Sequence, residues 1–328
     1  MERPTVLFLA TGREPALVLP ALEMVKLESA AFNLQAFPFG DDPATWTAVF
    51  KQVSAALQLD NSQIAVEPTR LRYLEMGFLQ SAAPGVTFTS AAPALEGLRV
   101  IKDAQEINEM RRAVCIAQDA LSATLPAVKP GATEKEIAAE LTIQLFRHGS
   151  DPELPFSPIV AGGANSANPH ATPTDRPLQA GDLLVIDWGA RLNGYCSDLT
   201  RTFAIGAVPK DMETIHQVVQ RANSAGRQAG KPGAAAGVVD QAARKVIDDA
   251  GYGEYFTHRT GHGLGLEDHE TPYIFGNNPQ VLQAGMTYTV EPGIYLPGIG
   301  GVRIEDNMAV TTDGTESLSD FPRELMRL

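Results

Sequence analysis

The sequence is poor in cysteine, in positive charge and in long apolar runs, and each shortage excludes a class of protein. Only two of its 328 residues are cysteines, which excludes a disulfide framework and favours a reducing compartment. Lysine and arginine total 26 against 39 aspartates and glutamates, so the net charge is −13 and a polyanion such as nucleic acid is excluded as the expected partner. No apolar run reaches the ~18 residues of a membrane span. A cytoplasmic protein without a membrane segment is therefore expected.

Patterns typical of strands and of helices alternate along the first 97 residues. "TVLFLA", "ALVLP", "QIAVE" and "GVTFTS" read as strands, and "PATWTAVFKQVSAAL" and "TRLRYLEMGFLQSA" as amphipathic helices. The following "AAPALEGLRVIKDAQE" contains proline and glycine and predicts an irregular joint. We therefore predict an α/β (α+β) chain with a small N-terminal domain over residues 1–97 and a second domain over residues 98–328.

A weak internal repeat occurs within the second domain. "KPGATEKEIAAELTIQLFRHG" begins at Lys129 and "KPGAAAGVVDQAARKVIDDAG" at Lys231, and each places a Lys-Pro-Gly turn before an amphipathic helix that ends at glycine. Both helices follow another helical segment and precede strand-like sequence. Three shared letters recur easily by chance, but the matching order of elements favours a duplication into two related halves with a site in the cleft between them.

The stretch "VIDWGARLNGYCSDLTRTF" predicts a β-hairpin that carries two acids. Asn193-Gly194 between two extended runs is typical of a two-residue type I′ turn. With that turn, Asp187 lies opposite Thr200, and Asp198 lies on the same face as a diagonal neighbour of Asp187. Diagonal Cα atoms are ~7–8 Å apart, so the two carboxylates can share one cation or a pair of cations. Two solvated surface acids are the alternative, but the apolar flanks of Asp187 argue against it because an unpaired buried charge is costly.

Two further stretches supply groups of the same chemistry. "HRTGHGLGLEDHE" contains three histidines among glycines, and "TVEPGIYLPGIGGVRIEDNMAV" repeats the pattern of an acid that ends a strand. The candidates at strand ends or loop edges are Asp187, Asp198, His262, Glu291 and Glu305. Four carboxylates balance two divalent ions, which in two-metal sites can stabilise a bridging hydroxide. Oxygen-rich ligation with a single imidazole favours Mn, or Co or Fe, over a thiolate-type zinc site. A structural calcium site would leave the histidines unexplained.

These motifs resemble the pita-bread metallopeptidases of family M24, which include the Xaa-Pro dipeptidases (prolidases), aminopeptidase P and methionine aminopeptidase. "DWGARLNGYCSD", "GHGLGLEDHE", "VEPGIY" and "GVRIED" occur in the order of that family and cover the second domain. The resemblance implies a pita-bread (creatinase/aminopeptidase) fold of two pseudo-symmetric halves with a dinuclear centre. It implies that Asp187 binds one ion, that Asp198 and Glu305 bridge both ions, and that His262 and Glu291 complete the other.

The resemblance also implies roles for residues around the metals. Glu291 shuttles a proton to the leaving nitrogen, and His269 contacts the scissile carbonyl. His170 orients the substrate, while His258 is a further pocket histidine of the proline-specific members. Arg303 resembles the arginine beside the bridging glutamate, and we place it in the substrate-binding set.

Two departures bear on the substrate. The segment before residue 98 is shorter than the N-terminal domain usual in the proline-specific branch. Some prolidases also carry an arginine shortly after the "HE" motif to bind the dipeptide carboxylate, whereas "HETPYIFGNNPQVLQAG" offers only neutral donors such as Tyr273. A cation elsewhere is then required. His170, His258, or an N-terminal arginine supplied in trans (the partner subunit's Arg70 or the partner's Arg72) are the open alternatives.

The sequence thus predicts a dinuclear exopeptidase that hydrolyses the Xaa-Pro bond of dipeptides through a hydroxide bridging two divalent ions. Manganese is the favoured metal, with Co, Fe or Zn as alternatives, and a homodimer is expected. Aminopeptidase P, which acts on longer proline-containing peptides, stays open because of the missing arginine. A catalytically inactive pita-bread binding protein and a creatinase-like, metal-free hydrolase are disfavoured, since all five ligand positions are intact.

Overall fold

A computed structural model describes residues 3–328, which form two compact units. The first unit ends at Leu95 and the second begins at Glu96. In the described residues no helix is both long enough and apolar enough to cross a bilayer.

The first unit contains the strands and helices that its sequence predicts, together with one further strand, β3. Its elements are β1 (Val6–Phe8), β2 (Ala16–Pro20), β3 (Gln35–Phe39), α1 (Trp46–Leu57), β4 (Gln63–Val66), α2 (Tyr73–Ala82) and β5 (Thr87–Ser90). The strands form a three-stranded sheet of order β1-β2-β3 and a separate parallel pair of β4 and β5. Helix α1 buries the apolar stripe of Phe50, Val53 and Leu57 in this unit's core.

The predicted irregular joint is wrong, because a helix forms there. Helix α3 spans Ala92–Arg99 and includes Gly97, the residue at which the sequence placed the domain boundary. Pro93 falls in the first turn, where a missing N–H costs nothing. The Ser90 hydroxyl accepts a hydrogen bond from the Ala92 amide at 3.1 Å. Good helix formers and this hydrogen bond therefore outweigh the single glycine and proline that suggested a break.

The second unit is built from helix pairs and antiparallel hairpins. Its helices are α4 (Ala104–Thr124), α5 (Glu134–Arg147), α6 (Lys210–Ala229) and α7 (Gly237–Asp249). Its strands are β6 (Ile159–Gly162), β7 (Leu183–Trp188), β8 (Arg191–Leu192), β9 (Tyr195–Cys196), β10 (Leu199–Ala204), β11 (Gly261–Gly263), β12 (Glu270–Ile274), β13 (Thr287–Val290), β14 (Gly293–Leu296), β15 (Gly300–Arg303), β16 (Asp306–Val310), β17 (Thr315–Ser317) and β18 (Met326–Arg327). The sheets have the orders β18-β10-β7-β6 and β12-β11-β13-β16-β17.

The predicted hairpin is confirmed together with its register. Asp187 of β7 pairs with Thr200 of β10, and Leu192 pairs with Tyr195 across the turn. Asn193 and Gly194 have φ values of 51° and 87°, the left-handed conformation that a type I′ turn requires at both positions. The turn residues therefore fix which face of the hairpin carries the acids.

The two halves of the second unit repeat one another in detail. Gly131 and Gly233, which precede α5 and α7, have φ values of 91° and 87°. The Gly131 amide donates to the Leu178 carbonyl and the Gly233 amide to the Leu282 carbonyl, each at 2.8 Å. Each hydrogen bond joins the turn before the helix to the segment that leads into a central strand. That strand is β7 in one half and β13 in the other. The predicted duplication into pseudo-symmetric halves is confirmed.

His216 of α6 is buried, and we expect it to make the folded state sensitive to acid. The residue is 2% exposed, and its Nε2 has no hydrogen-bond partner within residues 3–328. Burial lowers the pKa of His216 to about 4, whereas an unfolded histidine titrates near 6.5. Between these values the unfolded chain binds a proton that the folded chain does not. The free energy of unfolding therefore falls as the pH drops from about 6.5 to 4.

The expected size of this effect is about 2–3 kcal/mol over that interval. His216→Leu should remove that part of the decline in denaturant titrations at pH 7, 5.5 and 4. His148→Leu, at an exposed histidine after α5, is the matched control and should leave the slope unchanged. An unaltered slope in His216→Leu would contradict the prediction.

Candidate metal centre

One cavity of the second unit, about 520 Å³ in volume, brings the predicted site residues together. It is lined by all nine of them, which are Asp187, Asp198, His262, Glu291, Glu305, His170, His258, His269 and Arg303. These residues come from both halves of the repeat. The cleft position that the duplication predicts is therefore where the titratable groups meet.

Asp187 and Glu291 occupy equivalent places in the two halves. Gly181 and Gly285 have φ values of 98° and 90°, and each lies six residues before one of the acids. The strand pairs β13–β16 and β14–β15, which we call the second hairpin, continue one register, since Val290 pairs with Asp306 and Gly293 with Arg303. In that register Glu291 lies opposite Glu305, at the break between the ladders.

The two hairpins are joined at the acids themselves. Thr200 and Glu305 form an antiparallel bridge, in which the Glu305 amide donates to the Thr200 carbonyl at 3.0 Å. The Thr200 hydroxyl also donates to Glu305 Oε2 at 2.7 Å. Because Thr200 pairs with Asp187 on its other side, this bridge sets the acids of one half beside those of the other.

His262 has a ring orientation that suits a cation. Its Nδ1 lies 3.0 Å from the Gly263 carbonyl, which can only accept, so Nδ1 carries the proton. Burial lowers the pKa of His262 to about 3, so the ring is neutral at pH 7 and Nε2 carries a lone pair. That lone pair lies 3.5 Å from both Asp198 Oδ2 and Glu291 Oε1. Three acceptor atoms at this spacing favour a positive ion between them.

Glycine on both sides of His262 allows the ring to reach this position. A Cβ on Gly261 would lie 1.9 Å from the Thr289 carbonyl oxygen, and one on Gly263 would lie 2.2 Å from that of Thr271. Neither contact is tolerable. The "GHG" sequence therefore reflects the close packing of β11 between β12 and β13.

The four acids are held in an environment that opposes their ionisation. Burial, followed by the charges of neighbouring acids, raises the pKa of Asp198 and of Glu305 well above the ordinary range. Burial raises the pKa of Asp187 as well, against the opposing charge of Arg303, and raises that of Glu291 to about 7. Such a cluster is stable as carboxylates only with compensating positive charge.

Unpaired oxygen atoms mark where that charge fits. Asp187 Oδ1 and Glu305 Oε1 are buried, and neither has a hydrogen-bond partner in the described part of the chain. Ligand atoms of Asp198, His262 and Glu305 lie within 4.8 Å of one another. Orphaned carboxylate oxygens beside an imidazole lone pair are the donor set of a divalent metal site. The residues present therefore fit the metals that the sequence predicts.

Arg303 lines the cavity beside this cluster, and four hydrogen bonds engage its guanidinium. It donates to Asp187 Oδ2 at 2.5 Å, to the Tyr295 hydroxyl at 2.9 Å, to the Pro169 carbonyl at 3.1 Å and, through Nε, to Thr200 Oγ1 at 3.0 Å. Its guanidinium therefore orients an acid of each half, Asp187 directly and Glu305 through Thr200. Sequence reasoning missed Tyr295, whose only signal is its position four residues after Glu291.

The three remaining histidines lie around the cluster in different surroundings. His258 is held from both sides, by the Arg259 carbonyl at 2.7 Å from Nδ1 and by the Tyr295 hydroxyl at 2.9 Å from Nε2. His269 stacks on His262 with ring centroids 3.8 Å apart, and its side chain is 50% exposed. His170 is exposed at the edge of the cavity. The first is thus part of the wall, and the other two are accessible to a ligand.

Comparison with known proteins identifies the family of the chain. The model of metallopeptidase family M24 matches residues 108–312. The chain belongs to metallopeptidase family M24.

Similar proteins cover nearly the whole chain. A putative dipeptidase of Bacillus subtilis, YkvY, is 37% identical over 100% of this chain and 90% of its own length. The Xaa-Pro dipeptidase of Lactobacillus helveticus is 35% identical over 99% of this chain and 88% of its own. The crystal structure of recombinant prolidase from Thermococcus sibiricus superposes with a TM-score of 0.93 at 33% identity, over 100% of this chain and 88% of that one.

Membership of family M24 confirms the predicted resemblance and the predicted pita-bread fold. It also confirms that the chain is a metallopeptidase, and a divalent-metal site is the chemistry for which the clustered acids and His262 are suited. The roles of the individual site residues, the identity of the metal as manganese and the homodimer stay predictions.

Proposed function

We propose that this M24 enzyme is an Xaa-Pro dipeptidase whose metals are held by Asp187, Asp198, His262, Glu291 and Glu305. The observation that carries the proposal is the convergence of these five side chains, with orphaned buried oxygens, in one cavity that also contains accessible histidines. The similarity to a dipeptidase and to an Xaa-Pro dipeptidase over almost the full chain supports the substrate class.

Divalent ions bound by these residues, most favourably manganese and otherwise Co, Fe or Zn, would supply Lewis-acid chemistry toward a water molecule and the scissile carbonyl. The chain's own groups do the rest. We propose that Glu291 Oε1, which lies in the cluster beside His262, takes up a proton from the nucleophilic water and passes it to the leaving prolyl nitrogen. His269 donates to the carbonyl oxygen as negative charge develops on it.

Substrate orientation falls to the residues at the edge of the cavity. We propose that His170 contacts the substrate, and that His258 and Tyr295 form the wall for the proline ring. The free α-amine lies beside the carboxylate cluster, which limits cleavage to the first peptide bond. A prolyl nitrogen has no N–H, so the wall needs no acceptor at that point.

We expect the manganese-loaded protein to cleave Ala-Pro with the highest kcat/KM among Ala-Pro, Ala-Ala and Ala-Pro-Ala. Ala-Ala tests the need for proline, and Ala-Pro-Ala tests the need for a carboxylate directly after it. A preference for Ala-Pro-Ala over Ala-Pro of more than ~10-fold, or ~1.4 kcal/mol of transition-state stabilisation, would instead identify an aminopeptidase P. The lack of an arginine in "HETPYIFGNNPQVLQAG" is the observation that keeps this second candidate open.

A further inference from the structure

A dipeptide bound in this cavity brings one more negative charge to a site that is already acidic. Its carboxylate follows the proline ring directly and loses water when the ring enters the pocket. A desolvated carboxylate requires a cationic partner, and arginine binds it in a bidentate manner. Arg303 and Arg259 are the arginines that line the cavity.

Arg303 is not free for that role, because its hydrogen bonds go to Asp187, Tyr295, Thr200 and the Pro169 carbonyl. His258 does not supply charge either. Both of its ring nitrogens are engaged, and burial lowers the pKa of His258 to about 4. In the first unit, Arg72 forms an ion pair with Glu75, which makes it a poor candidate for binding the substrate carboxylate in a partner subunit.

Arg259 differs from these groups in having a charge without a partner. Its Cζ lies 4.5 Å from the centroid of the Tyr273 ring. Within residues 3–328 its guanidinium makes no ion pair or side-chain hydrogen bond, unlike Arg244, which pairs with Asp240. A guanidinium held over an aromatic ring by a cation–π contact makes no hydrogen bond to that ring through its N–H groups, which stay available to a ligand. Arg259 is therefore held in place by Tyr273, while its N–H groups are available to bind a ligand.

The backbone around Arg259 is fixed from several sides. Its carbonyl is bonded by His258 Nδ1, and the next amide, that of Thr260, donates to Asp240 at 3.0 Å. His262 follows three residues later. Arg259 lines the same cavity as His262 and Glu291, so its side chain borders the cluster of acids. A receptor built on such a support needs little ordering when substrate binds.

We propose that Arg259, supported by Tyr273, binds the free carboxylate of the dipeptide and thereby selects dipeptides over longer chains. The inference rests on the proposed Xaa-Pro dipeptidase function. It assigns the cation that the sequence after "HE" lacks. Tyr273, which belongs to the stretch that lacks an arginine, then holds an arginine from the neighbouring segment.

The test measures kcat/KM for Ala-Pro and for its amide, Ala-Pro-NH₂, in wild type, Arg259→Met and Arg259→Lys. Arg259→Met should lower kcat/KM for Ala-Pro by about 10²-fold and leave that for the amide within about 3-fold, since only the carboxylate loses a partner. The kcat/KM of Arg259→Lys for Ala-Pro should lie between those of wild type and Arg259→Met, because lysine keeps the charge without the planar guanidinium. Arg221→Met, at an exposed arginine of α6, should match wild type.

Inhibition by L-proline and by L-prolinamide gives a readout independent of turnover. Wild type should bind proline better, and Arg259→Met should bind both alike. Tyr273→Phe should keep the Ala-Pro preference and Tyr273→Ala should lose much of it, which covers the case of an Arg259 variant that fails to fold.

The outcomes separate this inference from the function on which it rests. A wild-type enzyme that does not cleave Ala-Pro defeats the proposed function. A wild-type enzyme that prefers Ala-Pro to its amide, with the same preference in Arg259→Met, defeats only the role of Arg259. Loss of that preference in His170→Asn but not in Arg259→Met would assign the carboxylate to His170 instead.

Discussion

Replacing Glu305 by alanine should abolish tight metal binding and lower kcat/KM by about 10³-fold or more. Glu305 meets both hairpins, one oxygen on Thr200 and the other buried without a partner in residues 3–328. If it bridges two ions, its loss removes a ligand from each and leaves their mutual repulsion less screened. Activated water and carbonyl polarisation together supply several kcal/mol of catalysis, which is the source of that factor.

Metal content and thermal stability test this prediction without any activity assay. Elemental analysis of manganese-reconstituted wild type should find about two ions per chain, and Glu305→Ala should retain fewer than one. Metal at ~100 times its dissociation constant adds ~2.7 kcal/mol to wild-type stability, so the variant should lose most of the metal-dependent rise in Tm. Glu254→Ala, at an exposed acid, is the control.

Without metal, replacing Glu305 should no longer cost stability. Without ions, Glu305 is a buried acid among other acids, and Glu305→Gln should be at least as stable as wild type. Wild-type protein that retains no manganese after reconstitution would contradict the metal site, and Glu305→Ala that still retains two ions would contradict the bridging role.

The parts of this structure that are predictable from sequence are those with a short-range cause. Asn193-Gly194 dictates a left-handed turn, and the turn alone fixes the pairing of Asp187 with Thr200. The repeated Lys-Pro-Gly turns predict the duplication through a local cause as well, since Gly131 and Gly233 each adopt a positive φ. Acids placed among apolar strand residues stand out because burial without a partner is costly.

The parts that were missed depend on contacts between distant segments. Tyr295 is an ordinary strand aromatic until the fold brings its hydroxyl between His258 and Arg303. The stack of Arg259 on Tyr273 joins residues fourteen positions apart through the pairing of β11 with β12, where the register shifts. Helix α3 was missed for a different reason, because one glycine and one proline were weighted above the surrounding helix formers.

Replacing His269 by alanine should lower kcat by about 10²–10³-fold while the metals stay bound, if His269 stabilises the oxyanion. It lies outside the proposed ligand set, and its Nδ1 is 3.3 Å from Asp268. Donation to the oxyanion therefore uses the Nε2–H that the ring carries when both of its nitrogens are protonated. The ring of His269 also supports a proposed ligand through its stack on His262, and His269→Ala removes that support as well.

Two matched variants separate the roles of His269. His269→Phe keeps a ring against His262 but has no N–H, whereas His269→Ala removes both. An oxyanion donor predicts an equal fall in kcat for the two variants, with metal content unchanged in His269→Phe. A support role predicts near-normal kcat in His269→Phe and loss of both kcat and metal in His269→Ala. A third result, normal kcat with only KM raised in both, would mean that His269 binds ground state and transition state equally and merely positions the substrate.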